Sequence, residues 1–221
     1  MPRTFIIGDI HGCCKTFSHL VTKKIELNKS DELYCLGDYI DRGSDAKGVV
    51  DFIIGLREEG YNIHTLRGNH EQMLLDSLSE PYRRSVWMEN SADKTLHSFG
   101  VKSAAELDPK YLEFFRETEF LASSNEFILA HAGLNFAADN PLEDTEAMLW
   151  IRNFPVDKNF LNGKVLIHGH TPMKKDLVLG QKFEGAIDID GGCVYKKREG
   201  MGNLIAIDFR EKRFIVQENI D

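Results

Sequence analysis

Residues 32–43 read Glu-Leu-Tyr-Cys-Leu-Gly-Asp-Tyr-Ile-Asp-Arg-Gly, an apolar run that ends in a glycine and then carries two carboxylates. A short apolar run bounded by such residues predicts a buried strand followed by a tight loop. The same arrangement occurs upstream, where Thr4–Asp9 leads into Gly8-Asp9-Ile10-His11-Gly12. It occurs again downstream, where Tyr61–Leu66 leads into Gly68-Asn69-His70-Glu71. Three polar loops therefore follow three predicted strands.

Predicted helices separate these strands. Lys15–Leu27 and Val49–Leu56 place apolar residues at helical spacing on either side of the second strand, Glu32–Gly37. The resulting β-α-β-α-β order predicts a parallel sheet with crossover helices. Ligands of such sheets bind at the carboxyl ends of the strands, which is where the polar loops fall.

The rest of the chain divides into a helical part and further strands. Glu71–Phe120 has helical patterning without a strand signal, and we expect an insertion that either partly covers the site or only adds packing. Phe127–Ala130 and Val165–Ile167 predict strands that end at His131 and at His168-Gly169-His170. Short apolar runs then predict antiparallel hairpins that complete a second sheet: Leu177–Leu179, Ala186–Ile189, Leu204–Asp208 and Phe214–Val216.

The composition narrows the class of protein. A chain of 221 residues, without repeats or linkers, predicts one domain over residues 1–221. The net charge of −8 argues against non-specific binding to nucleic acid or membranes, which usually requires a basic surface. The apolar run at the N-terminus is too short for a signal peptide, and the four cysteines fit no metal-binding spacing. We therefore expect a cytoplasmic, monomeric protein with free thiols.

The polar loops supply ligands for divalent cations. Asp9 and His11 lie two residues apart, so their side chains point to the same side of a strand end and can reach one cation. Asp38 also follows a glycine at a predicted strand end, and its two oxygens can bridge two cations. Two cations about 3.5–4 Å apart can share a bridging hydroxide that attacks phosphorus in line. The sequence therefore predicts a binuclear centre that hydrolyses phosphate esters.

The second cation needs ligands of its own. Asn69, His131 and His170 are the candidates, because each follows a predicted strand and the two histidines have small neighbours. His168 lies two residues before His170 and offers a second imidazole at the same strand end. Carboxylate, amide and imidazole ligands together suit Mn, and they also accept Fe, Zn or Co. The predicted cofactor is a pair of divalent metal ions, with Mn preferred.

Three further residues suggest how the reaction is completed. His70 directly follows Asn69, and neighbouring residues rarely both face one cation, so we expect His70 to be the acid that protonates the leaving alkoxide. Asp41 is the predicted carboxylate partner that keeps this imidazole charged. Arg42 offers a planar fork that matches phosphate oxygens.

These motifs carry a resemblance to a known family. Leu66-Arg67-Gly68-Asn69-His70-Glu71 matches the most specific signature of the phosphoprotein phosphatase family of metallophosphatases. The resemblance extends over Ile7–Cys193. In its length and in Gly169-His170-Thr171-Pro172, the chain is most similar to the small bacterial and phage Ser/Thr protein phosphatases.

The resemblance implies an α/β fold of the metallophosphoesterase type, a β-sandwich flanked by helices with the binuclear centre between its sheets. It selects His170 rather than His168, and it implies that Arg152, in Trp150-Ile151-Arg152, is a second phosphate-binding arginine beside Arg42. Asn69 is expected to contact the phosphate as well. The implied metal ligands are Asp9, His11 and Asp38 for the first ion, and Asp38, Asn69, His131 and His170 for the second.

The implied activity is that of a phosphoprotein phosphatase acting on phosphoserine and phosphothreonine, and also on phosphotyrosine or small phosphate esters. A symmetrical diadenosine tetraphosphate hydrolase is the alternative, although we expect an aromatic residue in such enzymes where this chain has Thr171. A non-catalytic binding module is a third reading, which predicts a lost ligand or acid, and none is lost. The family often has a proline after His-Ala-Gly, whereas Leu134-Asn135-Phe136 follows here, so the substrate loop stays open.

Overall fold

The computed structural model describes residues 2–221 and contains nine strands in two sheets. The strands are β1 Thr4–Ile7, β2 Glu32–Cys35, β3 Asn62–Thr65, β4 Leu121–Ser123, β5 Phe127–Ala130, β6 Val165–His168, β7 Ala186–Asp188, β8 Asn203–Asp208 and β9 Arg213–Glu218. The α-helices are α1 Cys14–His19, α2 Ala46–Glu58, α3 Asn69–Asp76, α4 Pro81–Glu89, α5 Ala92–Phe99, α6 Pro109–Glu117, α7 Thr145–Trp150, α8 Lys158–Leu161 and α9 Lys175–Leu179. A π-helix, Leu20–Ile25, continues α1, and a 3₁₀ turn, Ala104–Glu106, precedes α6.

The first sheet confirms the predicted parallel unit. Its order is β3-β2-β1-β8-β9, with β1, β2 and β3 parallel and β8 antiparallel to β1. The second sheet has the order β4-β5-β6-β7. The expected α/β fold with two sheets and flanking helices is therefore confirmed.

The hydrophobic residues explain the layers. In β1, Ile6 packs with side chains of the second sheet, such as Leu129 of β5 and Ile167 of β6, whereas its neighbours Phe5 and Ile7 pack against the helices. Phe5, Ile6 and Ile7 are all buried, so β1 presents apolar side chains on both faces instead of alternating with polar ones. The two sheets thus pack face to face and hold their carboxyl-end loops together.

Three expectations for the C-terminal part were wrong. Leu177–Leu179, predicted as a strand, lies in α9, because a three-residue apolar run is too short to distinguish the two periods. β7 runs parallel to β6 instead of forming a hairpin. The antiparallel pair β8–β9 does form, but it extends the first sheet beside β1. Turn residues between two short strands indicate a hairpin, but they do not indicate which edge of which sheet the hairpin joins.

The insertion is helical, as expected, and contains α3 to α6. Its buried residues, including Trp87 and Phe115, join the core that covers the outer face of the first sheet. α3 already begins at Asn69, inside the predicted motif. Within residues 2–221, no helix has the length and apolar content needed to cross a membrane. The cytoplasmic location, the monomeric state and the single domain over residues 1–221 stay predictions.

Candidate metal and phosphate site

Strained loops at the carboxyl ends of the strands carry the polar residues. His11, Asp38, Asp41, Arg42 and His170 all have positive φ, between 47° and 70°. Residues other than glycine rarely adopt this conformation, and such strain concentrates at functional sites. Close backbone approach adds a constraint, since a Cβ on Gly43 would lie 1.9 Å from the His11 carbonyl oxygen.

Asp38 lies at the centre of the predicted metal ligands. Possible ligand atoms of Asp38, His11 and the predicted acid His70 lie within 4.8 Å of one another, and those of Asp38, His131 and His170 do so as well, whereas the predicted ligand Asp9 belongs to neither group. Asp38 belongs to both groups, which is the position that a bridging ligand requires. The Asn69 Oδ1 atom lies 3.0 Å from His131 Nε2 and 3.0 Å from His170 Nδ1, so it joins the second group.

The hydrogen bonds of two histidines direct their lone pairs into the site. His11 Nδ1 lies 2.9 Å from the Ile40 carbonyl oxygen, and His131 Nδ1 lies 3.0 Å from that of Leu36. A carbonyl oxygen only accepts, so both Nδ1 atoms carry the proton and both Nε2 atoms present a lone pair. His131 Nε2 then faces the Asn69 Oδ1 atom, and a cation would satisfy these two acceptors together. The donor set therefore fits divalent metal ions.

The pKa values of the histidines agree with this assignment. Burial lowers the pKa of His11 to about 4 and that of His170 to about 2, and it also lowers the pKa of His131. Burial disfavours the carboxylate of Asp38, but contacts with the neighbouring histidines, among them His70, whose own pKa is raised, hold the Asp38 pKa well below its ordinary value. Neutral imidazoles around an ionised carboxylate are what a divalent cation binds.

Asp9 lies beside the two groups of ligands. Its side chain is 2% exposed and accepts the backbone N–H of His170 at 3.1 and 3.2 Å. Burial, together with Asp190 and Asp38, raises the pKa of Asp9 well above its ordinary value. A bound cation would relieve this clustering of carboxylates.

Sequence reasoning assigned no chemistry to Asp190, yet this residue faces the site. It is 2% exposed, accepts the backbone N–H of Gly192 at 2.9 Å, and has its pKa raised by burial to about 7. The available signal was its place just after β7, whose carboxyl end meets those of β5 and β6 at one sheet edge.

The predicted acid pair forms a buried contact. His70 Nδ1 lies 2.6 Å from Asp41 Oδ2, while His70 Nε2 has no hydrogen-bond partner within residues 2–221. Burial lowers the pKa of His70, but Asp38 and Asp41 outweigh it, so the pKa lies above its ordinary value. Two residues that sequence reasoning missed, Trp87 and Thr95, also bind the Asp41 carboxylate.

Glu71 supports the loops without facing the ligands. Its carboxylate accepts the backbone N–H groups of Asp38 at 2.8 Å, Tyr39 at 2.9 Å and Gly68 at 2.9 Å. It thereby joins the loop after β2 to the start of α3. Glu71 belongs to the motif Gly68-Asn69-His70-Glu71, but the motif does not indicate that its carboxylate binds backbone N–H groups.

The two predicted phosphate-binding arginines lie on different loops. Arg42 is half-buried, donates to His11 Nε2 and lies over the Tyr195 ring at 5.8 Å. A cation at His11 would replace the first of these contacts. Arg152 is exposed and donates to Thr171 Oγ1 at 2.8 Å. Both arginines lower the pKa of Asp190 and so act on the same part of the site.

His168, the alternative to His170 as a candidate ligand, lies outside both groups of ligands. Its ring packs 5.2 Å from that of Phe154, and its Nδ1 lies 3.9 Å from Asp188. The choice of His170 therefore agrees with the geometry, although the ligand roles themselves stay predictions.

A cavity of about 730 Å³ adjoins this site, and we call it the acidic cleft. α3, α4 and α7 form its walls, with residues that include Asp76, Glu80, Arg83, Glu146, Tyr82 and Trp150. α3 starts at Asn69 and His70, and the Trp150 ring lies 6.2 Å from that of His170. The cleft therefore meets the candidate site near Trp150, while its lining contains none of the candidate ligands.

Known proteins share this architecture. The sequence profile described as "Calcineurin-like phosphoesterase" matches residues 2–208. "Serine/threonine-protein phosphatase 1" of Salmonella typhimurium is 28% identical over 203 residues, covering 87% of this chain and 88% of that protein. A symmetrical bis(5'-nucleosyl)-tetraphosphatase of Haemophilus ducreyi is 29% identical over 134 residues, covering 60% of this chain but 45% of the relative.

A solved structure agrees in fold. The crystal structure of a putative diadenosine tetraphosphatase superposes with a TM-score of 0.67 at 22% identity, covering 98% of this chain and 95% of that one. The resemblance to the phosphoprotein phosphatases is thus supported, and the chain is similar to two kinds of phosphohydrolase. Because the family profile spans almost the whole sequence, the chain belongs to the calcineurin-like phosphoesterase family, whose members are metal-dependent hydrolases.

Proposed function

We propose that this chain is a phosphoprotein phosphatase that hydrolyses phosphomonoesters on Ser and Thr side chains, and also on Tyr. The observation that carries this choice of substrate is the charge of the acidic cleft beside the candidate metal ligands. This charge favours a peptide with basic residues and disfavours a polyphosphate.

The proposed cofactor is a pair of divalent metal ions, with Mn first and Fe, Zn or Co as alternatives. Asp9, His11 and Asp38 would hold one ion, and Asp38, Asn69, His131 and His170 the other. When bound, such ions supply a nucleophilic water and stabilise negative charge on the phosphate.

The remaining side chains bind the substrate and move a proton. Arg42 and Arg152 would donate charge-assisted hydrogen bonds to the phosphate oxygens, with the amide of Asn69 beside them. His70 would protonate the leaving oxygen from Nε2, while Asp41 holds the proton on Nδ1. A serine alkoxide is a poor leaving group and needs this proton, so the buried pair suits an alkyl phosphate ester.

The acidic cleft supports a peptide substrate. Glu80 and Glu146 are exposed on its walls, and no salt bridge to either is found within residues 2–221. Arg83 is the cation in the lining, and Asp76 already pairs with it at 2.6 Å. Two carboxylates therefore remain unbalanced, which repels a polyphosphate chain and attracts lysine or arginine beside a phosphorylated residue.

Symmetrical hydrolysis of diadenosine tetraphosphate is the second candidate. Relatives of that kind favour it, and so do the exposed rings of Tyr82 (75% exposed) and Trp150 (38% exposed), on which a nucleobase can stack. The anhydride leaves as a nucleoside diphosphate, which needs less protonation than an alkoxide. The charge of the cleft opposes this substrate.

A parallel assay tests the proposal. Chelator-treated protein reconstituted with Mn²⁺ is offered a phosphoserine peptide, a phosphotyrosine peptide and diadenosine tetraphosphate. We expect the highest kcat/KM on the phosphoserine peptide. Faster cleavage of diadenosine tetraphosphate would refute the protein phosphatase and leave the broader metallophosphoesterase activity in place.

The role of the cleft is tested with Glu80→Gln combined with Glu146→Gln. Two exposed charge pairs predict that the wild type prefers a phosphoserine peptide with basic flanks over a neutral one by about 2- to 30-fold. The double variant should lose this preference and retain its rate on 4-nitrophenyl phosphate. Glu58→Gln with Glu59→Gln, exposed at the end of α2 and outside the cleft lining, is the matched control. An unchanged preference in the cleft variant would contradict the charge argument.

A further inference from the structure

We infer that Trp87 and Thr95 are positioning residues for the Asp41–His70 pair, so that the helical insertion helps to build the proton donor. This inference rests on the proposed role of His70 as the leaving-group acid. Trp87 lies on α4 and Thr95 on α5, and neither helix carries a residue predicted for the site. The insertion would then do more than cover the site or extend the core.

Both oxygens of the Asp41 carboxylate accept hydrogen bonds from buried side chains. Oδ2 accepts from His70 Nδ1 at 2.6 Å and from the Trp87 indole N–H at 2.9 Å. Oδ1 accepts from the Thr95 hydroxyl at 2.5 Å, and that hydroxyl accepts the Asp41 backbone N–H at 2.8 Å. Both oxygens are therefore held, and the carboxylate cannot rotate without losing a charge-assisted bond.

Burial makes these contacts costly to replace. Asp41, His70 and Thr95 are 0% exposed and Trp87 is 1% exposed, so water cannot substitute for a lost donor. Asp41 also adopts a left-handed backbone with φ of 65°, which the bond from its own N–H to Thr95 fixes. The two insertion residues thus hold both the backbone and the side chain of Asp41.

A role in packing alone would not require these atoms. An apolar side chain at position 95 would fill the same volume as threonine, and phenylalanine at position 87 would keep most of the aromatic contact. Instead, the polar atoms of both residues converge on one carboxylate from two helices. With Asp41 fixed, the His70 ring keeps its proton on Nδ1 and holds Nε2 towards the reacting ester.

The test uses two variants that retain shape and remove the donor, Thr95→Val and Trp87→Phe. Each loses one hydrogen bond to a charged group, which predicts a fall in kcat on a phosphoserine peptide of about 10- to 100-fold. On an aryl phosphate with a good leaving group, the fall should be at most about 3-fold, because little protonation is needed. The content of bound Mn²⁺ and the KM should stay at wild-type values.

Two comparisons separate positioning from stability. Thr95→Ser keeps the hydroxyl and should restore most of the phosphoserine activity. Thr118→Val removes another buried hydroxyl of the insertion region, one that bonds Phe115 and Arg67, and should affect both substrates equally. If Trp87→Phe does not fold, the Val and Ser variants of Thr95 decide the question.

Specific outcomes overturn the inference. Equal losses on the two substrates in Thr95→Val, or no loss on either, would make Trp87 and Thr95 packing residues. If His70→Asn has the same ratio of rates on the two substrates as the wild type, His70 is not the leaving-group acid, and the proposed acid is overturned as well. If His70→Asn loses more rate on the phosphoserine peptide than on the aryl phosphate but Thr95→Val does not, the positioning role alone is overturned.

Discussion

Replacement of His70 by asparagine tests whether this residue is a metal ligand or a proton donor, because its position permits both roles. His70 Nε2 lies 3.9 Å from Asp38 Oδ2, and the His70 ring meets that of His11 edge-on at 4.9 Å. His70 is therefore close enough to be a metal ligand, whereas we propose that it donates a proton. His70→Asn removes the imidazole and keeps an amide that can still bond Asp41.

The expected magnitude follows from the contact with Asp41. Loss of a buried, charge-supported acid should lower kcat on a phosphoserine peptide by about 10²- to 10⁴-fold, or about 2.7–5.4 kcal/mol of transition-state stabilisation. Activity on an activated aryl phosphate should fall much less. Asp41→Asn should act in the same direction but more weakly, because it removes the support and leaves the imidazole.

The pH dependence has a definite sign. Asp38 and Asp41 hold the pKa of His70 above its ordinary value despite burial, so the protonated imidazole persists to higher pH. Wild-type activity on phosphoserine should decline as pH rises through that pKa, since the acid loses its proton. In His70→Asn this decline should be absent.

Metal analysis beside kinetics decides the matter. We expect about two metal ions per chain in both wild type and His70→Asn. A variant that retains one ion would show that His70 is a ligand. A variant that slows both substrates by the same factor would show that His70 is not the leaving-group acid.

The other predictions concern the metal ions and the phosphate. Chelator-treated protein should be inactive and should regain activity with Mn²⁺, and full activity without metal would refute the binuclear site. Asp38→Asn should give the largest loss of metal content and rate among ligand variants, because Asp38 belongs to both groups of ligands. Arg42→Ala and Arg152→Ala should each weaken use of phosphate monoesters by roughly 1.5–3 kcal/mol in kcat/KM. Wild-type kinetics in Arg152→Ala would show that the resemblance misplaced that residue.

The sequence was most informative where chemistry and local structure coincide. The apolar runs that precede Asp9, Asp38 and Asn69 located β1, β2 and β3, because each run is a buried strand and the polar residue follows in the loop or helix start after its carboxyl end. Their convergence also followed from the parallel order of the sheet. The pairing of His70 with Asp41 was predicted because an acid needs a carboxylate partner, and the two atoms lie 2.6 Å apart.

Other features depend on contacts that no local pattern records. Trp87 and Thr95 reach Asp41 across 46 and 54 residues, and both look like ordinary helix residues in the sequence. The run Leu177–Leu179 lies in a helix, because three apolar residues are too few to distinguish the helical period from the strand period. Asp190 carries no local signal of its role, because its place at the site depends on the parallel pairing of β7 with β6.

The motif residues therefore divide into those that present candidate ligand atoms and those that hold the loops, and the sequence alone does not distinguish the two. His11, Asp38 and His170 present ligand atoms, and they do so from a left-handed backbone that costs free energy of order 1–3 kcal/mol each. Such a backbone persists only when its surroundings hold it. Glu71 accepts the backbone N–H groups of Asp38, Tyr39 and Gly68, although burial raises its pKa to about 8, and so supports the loop through its backbone.

Trp87 and Thr95 supply a second support of the same type. They hold Asp41 as Glu71 holds Asp38, and both supports come from helices that follow the loop in the sequence, α3 for Glu71 and α4 and α5 for Trp87 and Thr95. Loss of either should disturb the loop after β2 before it disturbs the sheets, because β2 is fixed by its pairing with β1 and β3. The paired strands thus position the strand ends, while buried polar contacts from the helices set the conformation in which those ends would bind metal and donate a proton in the proposed reaction.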